Sequence, residues 1–169
     1  DSGGQRGIFR IESEDDLDRH LHASLAESAE QECILEGFVE GTEMNGIVIA
    51  RGGAAEVVTL SDRLRPPGIG FGVGWIHVYP ASTYGHQLEL SEKVATRAVE
   101  VLGLHDGIAF PQIIAHPDGS VAVVEVAARI PGGQMADLVR HATGVDLVDV
   151  ALRFALGEPV PDDVARPQF

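Results

Sequence analysis

The chain has 169 residues, enough for one domain with a buried core, and its 26 acidic against 12 basic residues give a formal net charge of −14 at pH 7. Because nucleic-acid-binding surfaces are basic, this balance argues against a general nucleic-acid-binding function, although arginines, backbone N–H groups and a cation can still hold an anion locally. No apolar run approaches the roughly 20 residues that span a membrane. The single cysteine, Cys33, excludes an intrachain disulfide and indicates a reducing compartment, the cytoplasm.

The first part of the chain predicts a loop, a helix and two short strands. Residues 1–7, "DSGGQRG", form a glycine-rich loop, and residues 8–11 form a short strand. Residues 13–30 predict a helix, because Ser13 is a good N-cap and leucines recur at helical spacing. Residues 32–39, "ECILEGFV", predict a second strand with Cys33 as a small core residue.

The rest of the chain alternates helices with antiparallel hairpins, which is typical of an α+β domain. In chain order we expect a hairpin over 44–61 turning at 51–53, a Pro/Gly-rich loop over 62–74, a short strand over 75–80, a helix over 85–104, a hairpin over 107–130 and two closing helices over 134–144 and 145–157. A loop as long as 62–74 in a compact chain is more often functional than idle.

The glycine-rich loop is a candidate phosphate-binding segment, in which glycines let backbone N–H groups approach a phosphate and Ser2 and Arg6 add contacts around Gly3 and Gly4. It matches neither the Walker A pattern nor the Rossmann fingerprint. A flexible terminal linker is an equally good interpretation of the loop by itself.

The segment "LEGFVEGTE" carries three carboxylates, Glu36, Glu40 and Glu43. On an extended strand such acids point to water. Alternatively, the segment is a hinge whose backbone contacts a purine edge while one carboxylate accepts hydrogen bonds from ribose hydroxyls.

The second hairpin brings two oxygen-bearing side chains towards each other. Counting from the turn at Asp118, Gln112 opposes residue 124 or 125, so Gln112 and Glu125 share a cleft that suits a hard cation such as Mg²⁺. A cross-strand Gln–Glu hydrogen bond is the structural alternative. Arg129 follows four residues later, either as an ion-pair partner of Glu125 or as part of a metal and phosphate site.

Further polar and aromatic residues around the Pro/Gly-rich loop could contact a substrate carboxylate or amine, although the aromatic ones are as often core residues. The candidates for substrate contact are Arg63, Arg65, Trp75, His77 and Tyr79, with Gly132 and Gly133 of the Pro-Gly-Gly corner.

Four motifs follow one another along the chain: the glycine-rich loop, "LEGFVEGTE", the Gln112–Glu125 hairpin and "VEVAARIPGG". Their order and spacing resemble the ATP-grasp superfamily of carboxylate–amine ligases, and among its branches the L-amino-acid ligases. The match runs from Asp1 to about Gly157. The resemblance implies an ATP-grasp fold, with residues 1–35 as a remnant of the small lobe, 36–157 as the C-terminal lobe and 158–169 as a tail.

The resemblance also implies nucleotide-binding roles. Glu36 and Val39 would frame the adenine edge, and Glu43, seven residues after Glu36, would hold the ribose. Ile114 and Val124 would supply apolar faces against the base.

The two metal-binding positions of the family correspond to Gln112 and Glu125, and Arg129 matches the family arginine that faces the transferred phosphate. The family usually has Asn two residues after the second acid, where this chain has Ala127. That difference removes one metal ligand and puts tight binding of a second metal ion in question.

The function implied is an ATP-dependent, ADP-forming ligase that uses Mg²⁺ or Mn²⁺ and joins a small-molecule carboxylate to an amine, without nucleic-acid or membrane partners. A phosphate-binding lysine, the rest of the small lobe and an N-terminal domain of the parent protein would lie outside this chain, so we expect the chain to be inactive alone. A second copy of the chain is a further expected partner.

Three alternatives to the ligase stay open at this point. The first is a bicarbonate-activating carboxylase or carbamoyl-phosphate-type subunit. The second is a nucleotide-binding module without turnover, which Gln112 and Ala127 favour. The third, an α+β interaction domain, would leave four ordered motifs as a coincidence.

Overall fold

The computed structural model describes residues 6–66 and 76–161. Its helices and strands confirm an α+β fold, and they are α1 (Glu14–Ala26), β1 (Thr42–Arg51), β2 (Ala54–Leu64), β3 (Ile76–Val78), α2 (Gly85–Val101), β4 (Gly107–Ala115), β5 (Val121–Ala127), α3 (Met135–Thr143) and α4 (Leu147–Leu156). No helix within the described ranges is long and apolar enough to cross a membrane.

The chain divides into two compact units. The first unit comprises residues 1–38 and 65–75, and the second unit comprises residues 39–64 and 76–169. The predicted lobe boundaries at 35/36 and 157/158 remain predictions.

In the first unit, α1 begins as its sequence predicts. The Ser13 hydroxyl accepts a hydrogen bond from the Asp16 backbone N–H at 3.2 Å, which satisfies one of the free donors at the helix start. Phe9 stacks on His20 with ring centroids 4.4 Å apart, and the Arg10 guanidinium lies 4.3 Å from the centre of the Phe38 ring. Side-chain contacts therefore join α1 to the segment before it and residue 10 to Phe38.

Two strand predictions in the first unit are wrong. Residues 8–11 and 32–39 have no regular secondary structure, and Cys33 is exposed and not a core residue. A strand needs a neighbour to satisfy its backbone N–H and C=O groups, and the described residues of this unit include no strand with which either segment could pair. Apolar composition alone produced both predictions.

The second unit is built on a five-stranded antiparallel sheet in the order β3-β2-β1-β4-β5. The predicted hairpin turn joins β1 and β2 through Gly52 and Gly53, whose φ angles of 56° and 85° suit glycine. The Asp106 carboxylate accepts a hydrogen bond from the Gly52 N–H at 2.9 Å and ties this turn to the loop before β4.

Helices cover the two faces of the sheet unequally. On one face, α2 packs Ala95 and Val99 against Val48, Ala50 and Ala109 of β1 and β4. On the other face, α3 and α4 pack residues such as Met135, Val139, Leu147 and Val150 against Ile47, Ile49, Ile108 and Phe110.

The second face changes character along β1. Because side chains alternate across a strand, Glu43, Asn45, Ile47 and Ile49 lie on the same face. Ile47 and Ile49 belong to the apolar cluster under α3 and α4, whereas Glu43 and Asn45 lie beyond that cluster. The fold thus leaves one end of a sheet face to polar side chains.

Just before β1, the backbone at position 41 lies so close to β4 that this position requires glycine. A Cβ there would overlap the carbonyl oxygen of Ala115 and lie 2.7 Å from Cγ2 of Ile114, whereas a Cβ at Gly37 would meet no atom within 4 Å. We expect Gly41→Ala to lower the free energy of unfolding by about 1–3 kcal/mol, since overpacking costs that much. Urea unfolding measures the difference, and Gly37→Ala is the control. Equal stability of the two variants would contradict the packing described here.

Candidate functional site

The polar end of the sheet carries six side chains, one or two from each strand. We call them the polar cluster: Glu43 and Asn45 on β1, Arg63 on β2, His77 on β3, Gln112 on β4 and Glu125 on β5. The strand register makes them neighbours, because Asn45 pairs with Gln112, Gln112 with Glu125, and Arg63 with His77. All five strands of the sheet therefore contribute to one patch.

Arg63 links the two halves of the polar cluster. Its Nη1 donates hydrogen bonds to Glu43 Oε2 at 3.2 Å and to Gln112 Oε1 at 2.9 Å. The Arg63 side chain is 13% exposed and that of Glu43 is 21% exposed. An ion pair so largely shielded from water is screened less by salt than a surface pair, and it fixes both partners.

Gln112 and Glu125 meet as the sequence predicts. Gln112 opposes Glu125 in the register, and Gln112 Nε2 donates a hydrogen bond to Glu125 Oε1. A β-bulge follows, because Ile113 opposes Val123 and leaves Val124 as an extra residue. Bulges re-aim side chains next to functional sites. The pairing of Gln112 with Glu125 that was predicted by counting from the turn is thus correct. The cross-strand hydrogen bond between the two side chains also forms.

His77 lies between a buried amide and a cation. Its Nδ1 is 3.1 Å from Nδ2 of Asn45, a residue only 1% exposed. Burial, and secondly the charge of Arg63, hold the pKa of His77 below its ordinary value. His77 is therefore a neutral ring at neutral pH, able to donate through one nitrogen and accept through the other.

The residues after Glu125 complete the neighbourhood of the site. Ala127 is partly buried and packs against the apolar cluster under α3 and α4. Arg129 is exposed, and its Nη1 donates to the backbone carbonyl of Ile130 at 3.1 Å. Among the described residues Glu125 forms no ion pair with Arg129, so the simple strand-to-corner ion pair is not what holds these charges. Gly132 and Gly133 follow, both exposed.

The residues predicted to contact adenine are half-buried or exposed. Ile114 is half-buried, and Val124 is 55% exposed at the bulge. Val39 is half-buried in the second unit, whereas Glu36 is an exposed residue of the first unit.

The predicted phosphate loop lies mostly outside the described residues, as do Ser2, Gly3, Gly4 and Trp75. Arg6 is described in the first unit, where its Nε is 3.7 Å from Glu27 Oε2. Arg65 is half-buried and belongs to the same unit.

A metal ion at the polar cluster would have oxygen ligands from Glu125 and Gln112. No group of three His, Cys, Asp or Glu side chains within the described ranges could hold a metal by itself. One carboxylate and one amide oxygen nevertheless fit Mg²⁺, which is commonly bound by one or two protein groups together with phosphates and water. The oxygen types fit an ion that arrives with a phosphate ligand, but the Gln112 oxygen accepts from Arg63 and the Gln112 amide nitrogen faces Glu125, so the amide would have to turn for both oxygens to reach one ion.

Sequence reasoning missed part of this arrangement. It placed Arg63 only beside the Pro/Gly-rich loop, as a substrate contact, and it gave Asn45 no role. A signal for Asn45 was present: it is an amide at the start of the apolar run "GIVIA" in a strand that reads as buried. Nothing in the sequence indicates that Arg63 reaches Glu43 and Gln112, which depends on the order of the strands.

Comparisons with known proteins fit this fold. The family model described as "Carbamoyl-phosphate synthase L chain, ATP binding domain" matches residues 1–163. A search of curated protein sequences found no match.

Solved structures of three enzymes are similar to this chain. An L-amino acid ligase from Bacillus licheniformis is 27% identical with a TM-score of 0.68, over 77% of this chain and 34% of that one. A biotin carboxylase from Campylobacter jejuni, in a β,γ-ATP complex, is 17% identical with a TM-score of 0.81, over 98% and 37%.

A carboxyaminoimidazole ribonucleotide synthase from Aspergillus clavatus, complexed with ATP, is 19% identical with a TM-score of 0.72, over 99% of this chain and 41% of that one. This chain thus spans between a third and about two fifths of the lengths of these three enzymes. The two enzymes below 25% identity share the fold, and the family match covers nearly the whole chain. The chain belongs to the ATP-grasp superfamily, in the family of carbamoyl-phosphate synthase L chain ATP-binding domains.

Proposed function

We propose that this chain is the ATP-binding part of an ADP-forming ligase that activates a carboxylate as an acyl phosphate and joins it to an amine. The observation that carries the proposal is the contact chain Glu43–Arg63–Gln112–Glu125 at the polar end of the sheet. It joins the carboxylate proposed for ribose to the pair proposed for metal and phosphate.

The nucleotide would lie along this contact chain. Glu43 accepts hydrogen bonds from the ribose hydroxyls, and Ile114, half-buried and paired with Glu43 in the register, packs against the base. Val39, Val124 and the backbone near Glu36 would frame the adenine. Ser2, Gly3, Gly4 and Arg6 would hold the outer phosphates through backbone N–H groups and the guanidinium.

Gln112 and Glu125 would hold Mg²⁺ or Mn²⁺ between them, and the ion would neutralise charge on the phosphate oxygens. Arg63 adds a second positive charge, because its guanidinium already contacts Gln112. Arg129 is free to turn from the Ile130 carbonyl towards the transferred phosphoryl group, since its side chain is exposed. Phosphoryl transfer needs such positioning and charge neutralisation more than covalent help.

The proposed reaction has two balanced steps. A substrate carboxylate oxygen attacks the γ-phosphorus, so that a new P–O bond forms and the bond to ADP breaks. The amine nitrogen then attacks the acyl carbon, phosphate leaves with the C–O electrons, and the nitrogen loses a proton. Water must be excluded between the steps because the acyl phosphate would otherwise hydrolyse.

An amino acid is the substrate class we favour. The 27% identity to an L-amino acid ligase over 77% of the chain supports it. Arg65, Trp75 and His77, with Gly132 and Gly133, are the proposed substrate contacts. We also propose that the protein acts in the cytoplasm, that it pairs with a second copy of itself, and that parts outside this chain complete the site.

Bicarbonate is the second candidate for the activated carboxylate. The carbamoyl-phosphate synthase family match and the structural likeness to a biotin carboxylase favour it. A bicarbonate-activating enzyme would release ADP in response to bicarbonate, with no requirement for an amino acid.

A nucleotide-binding module without turnover is the third candidate. Two observations favour it: Gln112 is hydrogen-bonded to Glu125, and Ala127 packs into the apolar cluster where the family has a metal-binding Asn. Such a module would bind ATP with little dependence on metal and form no ADP.

ADP release by the full-length protein, with Mg²⁺ and ATP, separates these candidates. Pooled amino acids and bicarbonate are added in turn. Amino-acid-dependent ADP supports the ligase, bicarbonate-dependent ADP supports the carboxylase, and ATP binding without ADP under either condition contradicts both enzymes.

Glu125→Gln should lower Mg²⁺-dependent ADP formation by roughly 100-fold or more, because it removes the only carboxylate of the proposed metal pair. Glu92→Gln, an exposed carboxylate on α2, is the control and should keep normal activity. Near-normal turnover in Glu125→Gln would remove Glu125 from the metal site.

Arg63→Ala should weaken ATP binding roughly 10- to 100-fold, since it removes hydrogen bonds that involve charged groups and leaves Glu43 and Gln112 without their shared donor. Arg63→Lys should recover only part of the affinity, because an ammonium cannot reproduce the planar guanidinium. Calorimetric titration with Mg-ATP measures both. Arg97→Ala, an exposed arginine of α2, is the control; equal affinities of Arg63→Ala and Arg97→Ala would rule out a role for Arg63.

A further inference from the structure

Asn45 is a buried amide, and among the described residues its side chain forms a hydrogen bond with one histidine only, His77. The residue is 1% exposed within β1, and its Nδ2 lies 3.1 Å from His77 Nδ1. Its Oδ1 is buried and has no hydrogen-bond partner among the described residues. A buried amide costs free energy unless it is paired, so an Asn at this position calls for an account other than stability.

The contact assigns roles to the two ring nitrogens of His77. An amide N–H is only a donor, so Nδ1 of His77 accepts from Asn45 Nδ2. A neutral imidazole carries one proton, which then lies on Nε2. The neutral state is favoured by burial and by the nearby Arg63 charge, both of which lower the pKa of His77.

We propose that Asn45 is a positioning residue that holds His77 as the Nε2–H tautomer, so that His77 donates a hydrogen bond from this end of the sheet and cannot act there as a base. The hydrogen bond between the two side chains and the burial of Asn45 carry the proposal.

The consequence for substrate chemistry rests on the proposed function. An Nε2–H group pairs with an oxygen of a carboxylate or phosphate, and it has no lone pair with which to accept a proton from an ammonium. His77 and Arg63 are opposite each other in the β2–β3 register, so they would be two neighbouring donors for an anionic substrate group. The amine of the substrate must lose its proton elsewhere.

The tautomer can be read directly in the 169-residue chain without nucleotide or substrate. Histidine labelled with ¹⁵N in both ring positions gives two signals whose chemical shifts distinguish a protonated from an unprotonated nitrogen. His77→Gln identifies the His77 signals by their loss. The spectrum is recorded near pH 8, where the ring is neutral.

The wild-type chain should show the proton on Nε2 and a lone pair on Nδ1. In Asn45→Asp the carboxylate accepts from Nδ1–H, so the proton should move to Nδ1; in Asn45→Ala the two tautomers should mix. Thr59→Val, a change at another buried polar residue of the sheet, is the control and should leave the Nε2–H tautomer unchanged.

Either of two results would overturn the proposal: the proton on Nδ1 in the wild-type chain, or unchanged His77 signals in Asn45→Ala and Asn45→Asp. Circular dichroism shows whether each variant folds. Even where a variant does not fold, the wild-type spectrum alone decides whether the proton lies on Nδ1. Because no ATP or ADP enters the experiment, its failure is distinct from a failure of the ligase proposal.

Discussion

The arrangement of the site depends on one buried contact, the guanidinium of Arg63 between Glu43 and Gln112. It joins β2 to β1 and β4, and through Gln112 it reaches Glu125 on β5. A charge that is only 13% exposed needs partners to offset its desolvation, and each partner is thereby fixed in place. Burial, together with the same positive charge, lowers the pKa of His77 and favours its neutral ring. Arg63 thus links side chains from three strands of the polar cluster.

Within the described residues, the second face of the sheet changes from apolar to polar side chains along β1. Helices α3 and α4 pack over Ile47 and Ile49, while Glu43 and Asn45 of the same strand lie beyond them. Strand alternation brings all four residues to one face, and the length of the helical cover divides that face into a core and a site. Ala127 packs into the apolar part, next to the position of Glu125.

Local signals in the sequence predicted elements of both units. The Ser13 cap, the glycine turn at 52–53 and the count that opposed Gln112 to Glu125 all correspond to short-range chemistry, and the structure confirms them. The strand predictions for residues 8–11 and 32–39 were wrong because a strand forms by pairing with a neighbouring strand, and apolar composition alone does not produce one. Arg63 and Asn45 could not be assigned, since their contacts depend on strand order across 49 and 32 residues of sequence separation.

A crystal structure of the full-length protein with ADP and Mn²⁺ tests the central claim most directly, because the anomalous signal of manganese locates the ion. The account predicts manganese bound between Glu125 and Gln112, with Arg63 beside the nucleotide and the ribose against Glu43. Manganese and nucleotide bound away from these strands, with the contacts of Arg63 to Glu43 and Gln112 unchanged, would contradict it and leave the polar cluster as a structural ion-pair network.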